Sequence, residues 1–198
     1  MNNHLYDKMK AEDKIYQAYF KLKENRLYYN QIKENTKLSH SSLQNVLDRL
    51  IKSKILIQEK TKSNTFYKIK NKKLFALKFS EIAINKFNNL NLGIRSPLRN
   101  FIKEIPQTVF TIVLFGSSSI KKEEPGSDID LLIVTSNKQN FEDLKKSINA
   151  VSNHPLSTFQ CNIDQFIENK DHIIIQARKK GFPIFKENNF YEVMLNEN

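Results

Sequence analysis

The sequence predicts an α+β protein in two parts. Three observations lead there: apolar residues recur at helical spacing through the first half, a polar turn near 60–64 separates two β-prone stretches, and short apolar runs at 109–115 and 131–134 frame a Gly-Ser and an Asp-x-Asp. The charge divides along the same line. Residues 1–70 carry 15 basic and 7 acidic side chains (+8), 71–108 carry 7 and 2 (+5), and 109–198 carry 10 and 12 (−2). The net charge of +11 therefore belongs to the first half, where it suggests an anionic partner. Part of it has a plainer origin, since 27 of the 32 basic residues are Lys and both Asn and Ile are abundant, as AT-rich coding would produce.

Taken in order, Ile15, Ala18, Tyr19 and Leu22 fall at i, i+3, i+4 and i+7, the spacing of one buried helical face. A second short helix is predicted over Tyr28 to Asn35. Thr36-Lys37-Leu38 then turns the chain into Ser39, whose hydroxyl can cap a third helix. There Leu43, Val46, Leu47, Leu50 and Ile51 form one apolar stripe, while His40, Ser41, Ser42, Gln44, Asn45, Asp48, Arg49 and Lys52 face elsewhere. Ile55 to Gln58 and Thr65 to Ile69, on either side of Lys60-Thr61-Lys62-Ser63-Asn64, read as a hairpin. Residues 73–105 read as helical with a break near Asn91, Gly93 and Pro97. Val109 to Phe115, bounded by Pro106 and Gly116, suits a buried strand, and Leu131 to Val134 a second. The expected domains are 1–70, a helical link over 71–105, and 106–198.

Hydrophobic residues make up 39% of the chain, with 14 Phe and 7 Tyr, which is enough to build a core and argues against disorder. No apolar run approaches the roughly 18 residues of a membrane span, and the opening residues carry no signal-peptide stretch, so a cytoplasmic location without membrane contact is expected. The single Cys161 excludes an internal disulfide. His4, His40, His154 and His172 lack metal-ligand spacing, which argues against structural zinc.

Three short helices followed by a basic-tipped hairpin resemble the winged helix-turn-helix domain of bacterial and archaeal transcription regulators. The resemblance implies duplex DNA as partner, with Ser41, Ser42, Gln44 and Asn45 facing base edges and Arg49, Lys52, Lys60 and Lys62 meeting phosphates. A solvated helix face or a protein-interaction module are the alternatives. Regulators of this kind often dimerise, which makes a homodimer one expectation, although no coiled-coil heptads are present.

The chemistry lies in the second half. A glycine at 116 lets the backbone approach a triphosphate closely, and free N–H groups with the Ser117 hydroxyl can hold anionic oxygens. Strand alternation puts Asp128 and Asp130 on one face, where two carboxylates can share a pair of Mg²⁺ ions about 4 Å apart. The stretch FGSSSIKKEEPGSDIDLLIV has the pattern of a hydrophobic residue, Gly-Ser, a spacer of about ten, then Asp-hydrophobic-Asp and a hydrophobic strand. It resembles the minimal nucleotidyltransferases of the DNA polymerase β superfamily, over about residues 95–190. A winged helix fused in front of such a domain is familiar in that family, and Gln165-Phe166, the helical Ile173, Ile174 and Ala177, and Gly181 to Phe185 suit it too.

The resemblance implies a mixed sheet flanked by helices and an Mg²⁺-dependent transfer of a nucleoside monophosphate from an NTP, such as ATP, to a hydroxyl. Asp128 and Asp130 would be catalytic and hold metal; Gly116 and Ser117 would hold the nucleotide. With no second substrate domain, the acceptor would come from a partner protein, and one family precedent is an antitoxin that adds AMP to a toxin tyrosine. The chain departs from the family twice. Ser119-Ile120-Lys121 stands where many relatives have Ala-Arg-Gly, so a basic phosphate contact is lost or passes to Lys121 or Lys122. The counterpart of the strand that usually carries a third acid, Ser157 to Cys161, has none. Thr158 and Gln160, which share one strand face, are the positions where such an acid is expected to act. Asp164 is the nearest carboxylate; its plain role is to cap a helix beginning near Gln165, and the alternative is that it serves as the third ligand or base. Two readings compete with the enzyme: a DNA-binding regulator with an inactive, nucleotide-sensing transferase domain, and a scaffold that only binds protein.

Overall fold

A computed structural model describes residues 9–137 and 139–197; the opening stretch with His4 lies outside the described residues. The chain forms two compact units, 1–82 with 194–198, and 83–193.

In the first unit, α1 (Ala11–Leu22) buries Ile15, Ala18 and Tyr19 of the predicted stripe together with Tyr16, while Leu22 is only partly covered. β1 (Arg26–Tyr28), which periodicity did not predict, leads into α2 (Tyr29–Thr36). Three residues are too short to display a period of two, and only Leu27 between exposed neighbours hints at it. Next, α3 (His40–Lys52) begins at Ser39, whose hydroxyl accepts from Ser42 N at 3.3 Å. β2 (Leu56–Lys60) and β3 (Thr65–Ile69) form the hairpin, and β1 joins its other edge in the order β1-β3-β2, all antiparallel. Its loop closes through Thr61 N donating to the Asn64 carbonyl at 2.8 Å. Leu27, Ile32, Leu43, Leu47, Leu50 and Tyr67 fill the core, each worth on the order of 1.5–3 kcal/mol when fully buried. Tyr19 packs edge-on against Phe75 and donates its hydroxyl to the Tyr67 carbonyl at 2.7 Å.

Helix α4 (Lys72–Asn88) contains the boundary between the units. The break expected near Asn91 is real, but α5 (Leu92–Glu104) runs through both Gly93 and Pro97. In the second unit β4 (Val109–Phe115) and β5 (Ile129–Thr135) are antiparallel and almost wholly buried, as their apolar runs require. After α6 (Glu142–Asn149) comes β6 (Leu156–Cys161), parallel to β5. Short α7 (Ile163–Glu168) and α8 (His172–Lys180) precede β7 (Phe182–Phe185), which pairs antiparallel with β4. The mixed sheet has the order β6-β5-β4-β7, and α9 (Glu187–Asn196) closes the chain. Buried Arg178 donates to the Phe166 carbonyl at 2.7 Å, meeting an orphan carbonyl at the end of α7. Among the described residues no helix is long and apolar enough to cross a membrane.

Candidate active site

Burial of the apolar runs lays β4 and β5 side by side, and the site forms where both reach the same end of the sheet. β4 stops at Phe115, and the chain turns at Gly116 with φ 67° and ψ −159°, a region that side chains other than glycine's rarely enter. One 3₁₀ turn, Ser117–Ile120, follows. Ser119 Oγ donates to the Gly116 carbonyl at 2.8 Å, and Lys121 ends the turn in a left-handed conformation, φ 57°. Ser118 is buried and its hydroxyl has no hydrogen-bond partner.

Register pairs Phe115 with Asp130, so this turn comes down on the carboxylate. A Cβ on residue 116 would overlap Asp130 Oδ2 and lie 3.0 Å from its Cγ. Asp128 stands exposed just before β5, while Asp130 is half-buried within it. Burial raises the Asp130 carboxyl above its ordinary value, and the charge of neighbouring Asp128 raises it further. The sheet thus holds two carboxylates together beside a glycine turn, and among the described residues neither is in an ion pair.

Residues 96–183 match the family model described as a nucleotidyltransferase domain.

No curated protein matches the chain. Among solved structures, "Crystal structure of the toxin-antitoxin with AMP-PNP" is 13% identical, with 52% of this chain and 83% of that chain covered at a TM-score of 0.38. A second, of TrmBL2, an archaeal chromatin protein described as showing a novel mode of DNA binding, is 18% identical, with 89% and 76% covered at a TM-score of 0.28.

Within the matched residues 96–183, β6 carries no acid beside the aspartates. Its parallel register sets Ser157 against Asp130, Phe159 against Leu132 and Cys161 against Val134. Paired residues face the same side of a sheet, so Ser157 is the neighbour of Asp130. Thr158 and Gln160 do share a face, but it is the opposite one, beside Leu131 and Ile133, and the Gln160 amide is tied to the Gln139 carbonyl at 2.8 Å. Asp164 lies past the far end of β6, roughly 13 Å or more along the strand direction from Ser157. Nor does it cap α7. Asn162 does, accepting from Gln165 N at 2.7 Å while Gln165 Oε1 accepts from Asn162 N at 2.9 Å. Among the described residues no group of three or more His, Cys, Asp or Glu is arranged to hold a metal.

Side chains that the sequence reading passed over fix the loop that delivers Asp128. Asn91 donates to Glu123 Oε1, and His154 Nδ1 donates to the Ser127 carbonyl at 3.0 Å. Ile129 N donates to the Pro155 carbonyl at 2.8 Å, extending the β5–β6 ladder to the aspartates. No local pattern signals these contacts, since each joins residues far apart in the chain. One pleat beyond Asp130, on its own sheet face, a cavity of about 250 Å³ opens between Leu132, Phe159 and Cys161 and the helices α7 and α8. Phe159 is 47% exposed there.

The residues singled out on the first unit lie on α3 and the hairpin. Ser41, Asn45, Arg49, Lys52, Lys60 and Lys62 are exposed, and Ser42 and Gln44 partly so. Some of them already have partners, Ser41 Oγ lying 3.4 Å from Ser39 Oγ. Gln44 Nε2 donates to Asp48 Oδ1 at 2.8 Å, and Arg49 stands 3.7 Å from Glu12 Oε2.

Proposed function

We propose that the nucleotidyltransferase domain transfers a nucleoside monophosphate from an NTP to a hydroxyl group, with a partner protein as the acceptor. The carrying observation is the Gly116 turn lying on a half-buried Asp130 whose neighbour is Asp128. In the reaction the acceptor oxygen bonds to the α-phosphorus, the bond from that phosphorus to the bridging oxygen breaks, and pyrophosphate leaves with it. Gly116 gives the backbone close access to the triphosphate, and the Ser117 hydroxyl donates to its oxygens.

Asp128 and Asp130 suit a divalent cation, because two adjacent carboxylates, one desolvated, carry negative charge that no ion pair among the described residues offsets. Mg²⁺, when bound by this pair, supplies charge neutralisation at the phosphates and activation of the acceptor hydroxyl. In-line attack puts the acceptor opposite pyrophosphate. With the triphosphate over the β4 turn, the acceptor approaches over β6, where the cavity lined by Phe159 opens.

The residue beside Asp130 on β6 is Ser157, and this favours a second reading, a domain that binds nucleotide and transfers slowly or not at all. Incubation with α-labelled ATP, Mg²⁺ and candidate acceptor proteins separates the two. Label on an acceptor, lost in Asp128→Asn with Asp130→Asn, supports transfer; metal-dependent binding without any label supports sensing.

For the first unit we propose a winged helix-turn-helix that binds duplex DNA, supported by the +8 charge of residues 1–70 and by exposed basic residues on α3 and the hairpin loop. A salt-sensitive gel shift with the full chain tests it.

A further inference from the structure

Lys86 lies outside both the motif and the matched residues 96–183, in the last turn of α4. Its ammonium sits 4.2 Å over the centre of the Phe182 ring. Phe182 pairs with Leu114, two residues before Gly116, so the lysine reaches the end of β4 from which the Gly116–Ser117 turn springs. No ion pair among the described residues contains Lys86. The charge that it does meet is another cation, Lys121, which ends that turn. Burial, and then the Lys121 ammonium, hold Lys86 below the ordinary lysine value. The ring face compensates only in part, since an aromatic face is a weaker partner for a cation than an anion is. Lys86, half-buried against Phe182 near the end of β4, and Lys121, which ends the glycine turn, are in no ion pair among the described residues, an arrangement that an anion at the turn would relieve. Ile120, the residue beside Lys121, is 53% exposed.

We propose that Lys86 and Lys121 form the cationic seat for the β- and γ-phosphates of the bound nucleoside triphosphate. The inference rests on the nucleotidyltransferase reading above and adds a residue that no motif contains. It makes triphosphate over monophosphate selectivity a property of the α4 end as well as of the glycine turn.

The test compares ATP and AMP binding, with Mg²⁺, in the wild-type chain and in Lys86→Met, Lys86→Arg and Lys121→Met. Lys86→Met is expected to weaken ATP on the order of 10- to 100-fold, the worth of one charge-assisted contact, while AMP changes less than about twofold. Lys86→Arg should restore most of the loss. The melting temperature of Lys86→Met, expected to match wild type, separates a lost contact from a lost fold. If ATP binding is abolished by Asp128→Asn with Asp130→Asn yet unchanged by both methionine variants, the seat is wrong and the nucleotidyltransferase reading stands. Equal loss for ATP and AMP in Lys86→Met also overturns it. Absence of Mg²⁺-dependent ATP binding in the wild-type chain overturns both.

Discussion

Gly116 and Asp130 are mutually exclusive with a side chain at 116: a Cβ there would overlap Asp130 Oδ2. The close approach sets the Gly116 turn directly against Asp130. Gly116→Ala is expected to cost about 1–3 kcal/mol, from φ 67° and from displacing the carboxylate. Urea unfolding measures this, and combining Gly116→Ala with Asp130→Gly should recover the part due to the clash. Strict additivity of the two changes would show that the carboxylate yields freely.

Asp130 also sets a pH dependence. Its carboxyl is held above the ordinary value by burial and by Asp128. A group raised in this direction favours the fold below its unfolded value, about 3.9, and that contribution is lost as pH rises through the folded value. At neutral pH without divalent cations, Asp130→Asn should therefore melt higher than wild type, with the difference shrinking toward pH 4. Millimolar Mg²⁺ should raise the wild-type melting temperature and leave the Asp128→Asn, Asp130→Asn variant unchanged. Equal melting of all forms at every pH and Mg²⁺ level would contradict a shared cation site.

If a missing acid limits transfer, register decides where to restore it. Ser157→Asp is expected to raise metal affinity and any transfer rate, because residue 157 faces the side of Asp130. Thr158→Asp should do neither, being beside Leu131 on the opposite face. A gain from Thr158→Asp alone would mean that the strand is slipped by one residue.

On the proposed DNA-binding unit, Glu12 competes with phosphate for Arg49, 3.7 Å away. Glu12→Gln should tighten binding to all duplexes modestly and steepen the salt dependence, whereas Lys60→Ala with Lys62→Ala should weaken binding and flatten it. Changing Asn45, which is exposed, should shift sequence preference by roughly 1–3 kcal/mol per base contact. Gel shifts across a salt series read both effects, and no binding at low salt would favour an interaction module.

Several features were legible in the residues alone because they are local. The stripe of Leu43, Val46, Leu47 and Leu50 repeats at the helical period, the runs ending at Gly116 and beginning at Ile129 are long enough to be strands, and Ser39 precedes its helix as a cap. Gly-Ser and Asp-x-Asp at fixed spacing carried the resemblance to nucleotidyltransferases. What escaped depends on pairing between distant segments. β1 exists because β3 offers it an edge, and Leu27 alone could not announce that. The face of β6 that accompanies Asp130 is set by its ladder with β5, and since side chains alternate, a shift of one residue exchanges Ser157 for Thr158. Lys86 comes near the end of β4 through the ring of Phe182, which pairs with Leu114. The sequence by itself determined which groups are present and which elements hold them; the tertiary structure decided which of them meet, because register and packing are collective outcomes of burial and not properties of any one segment.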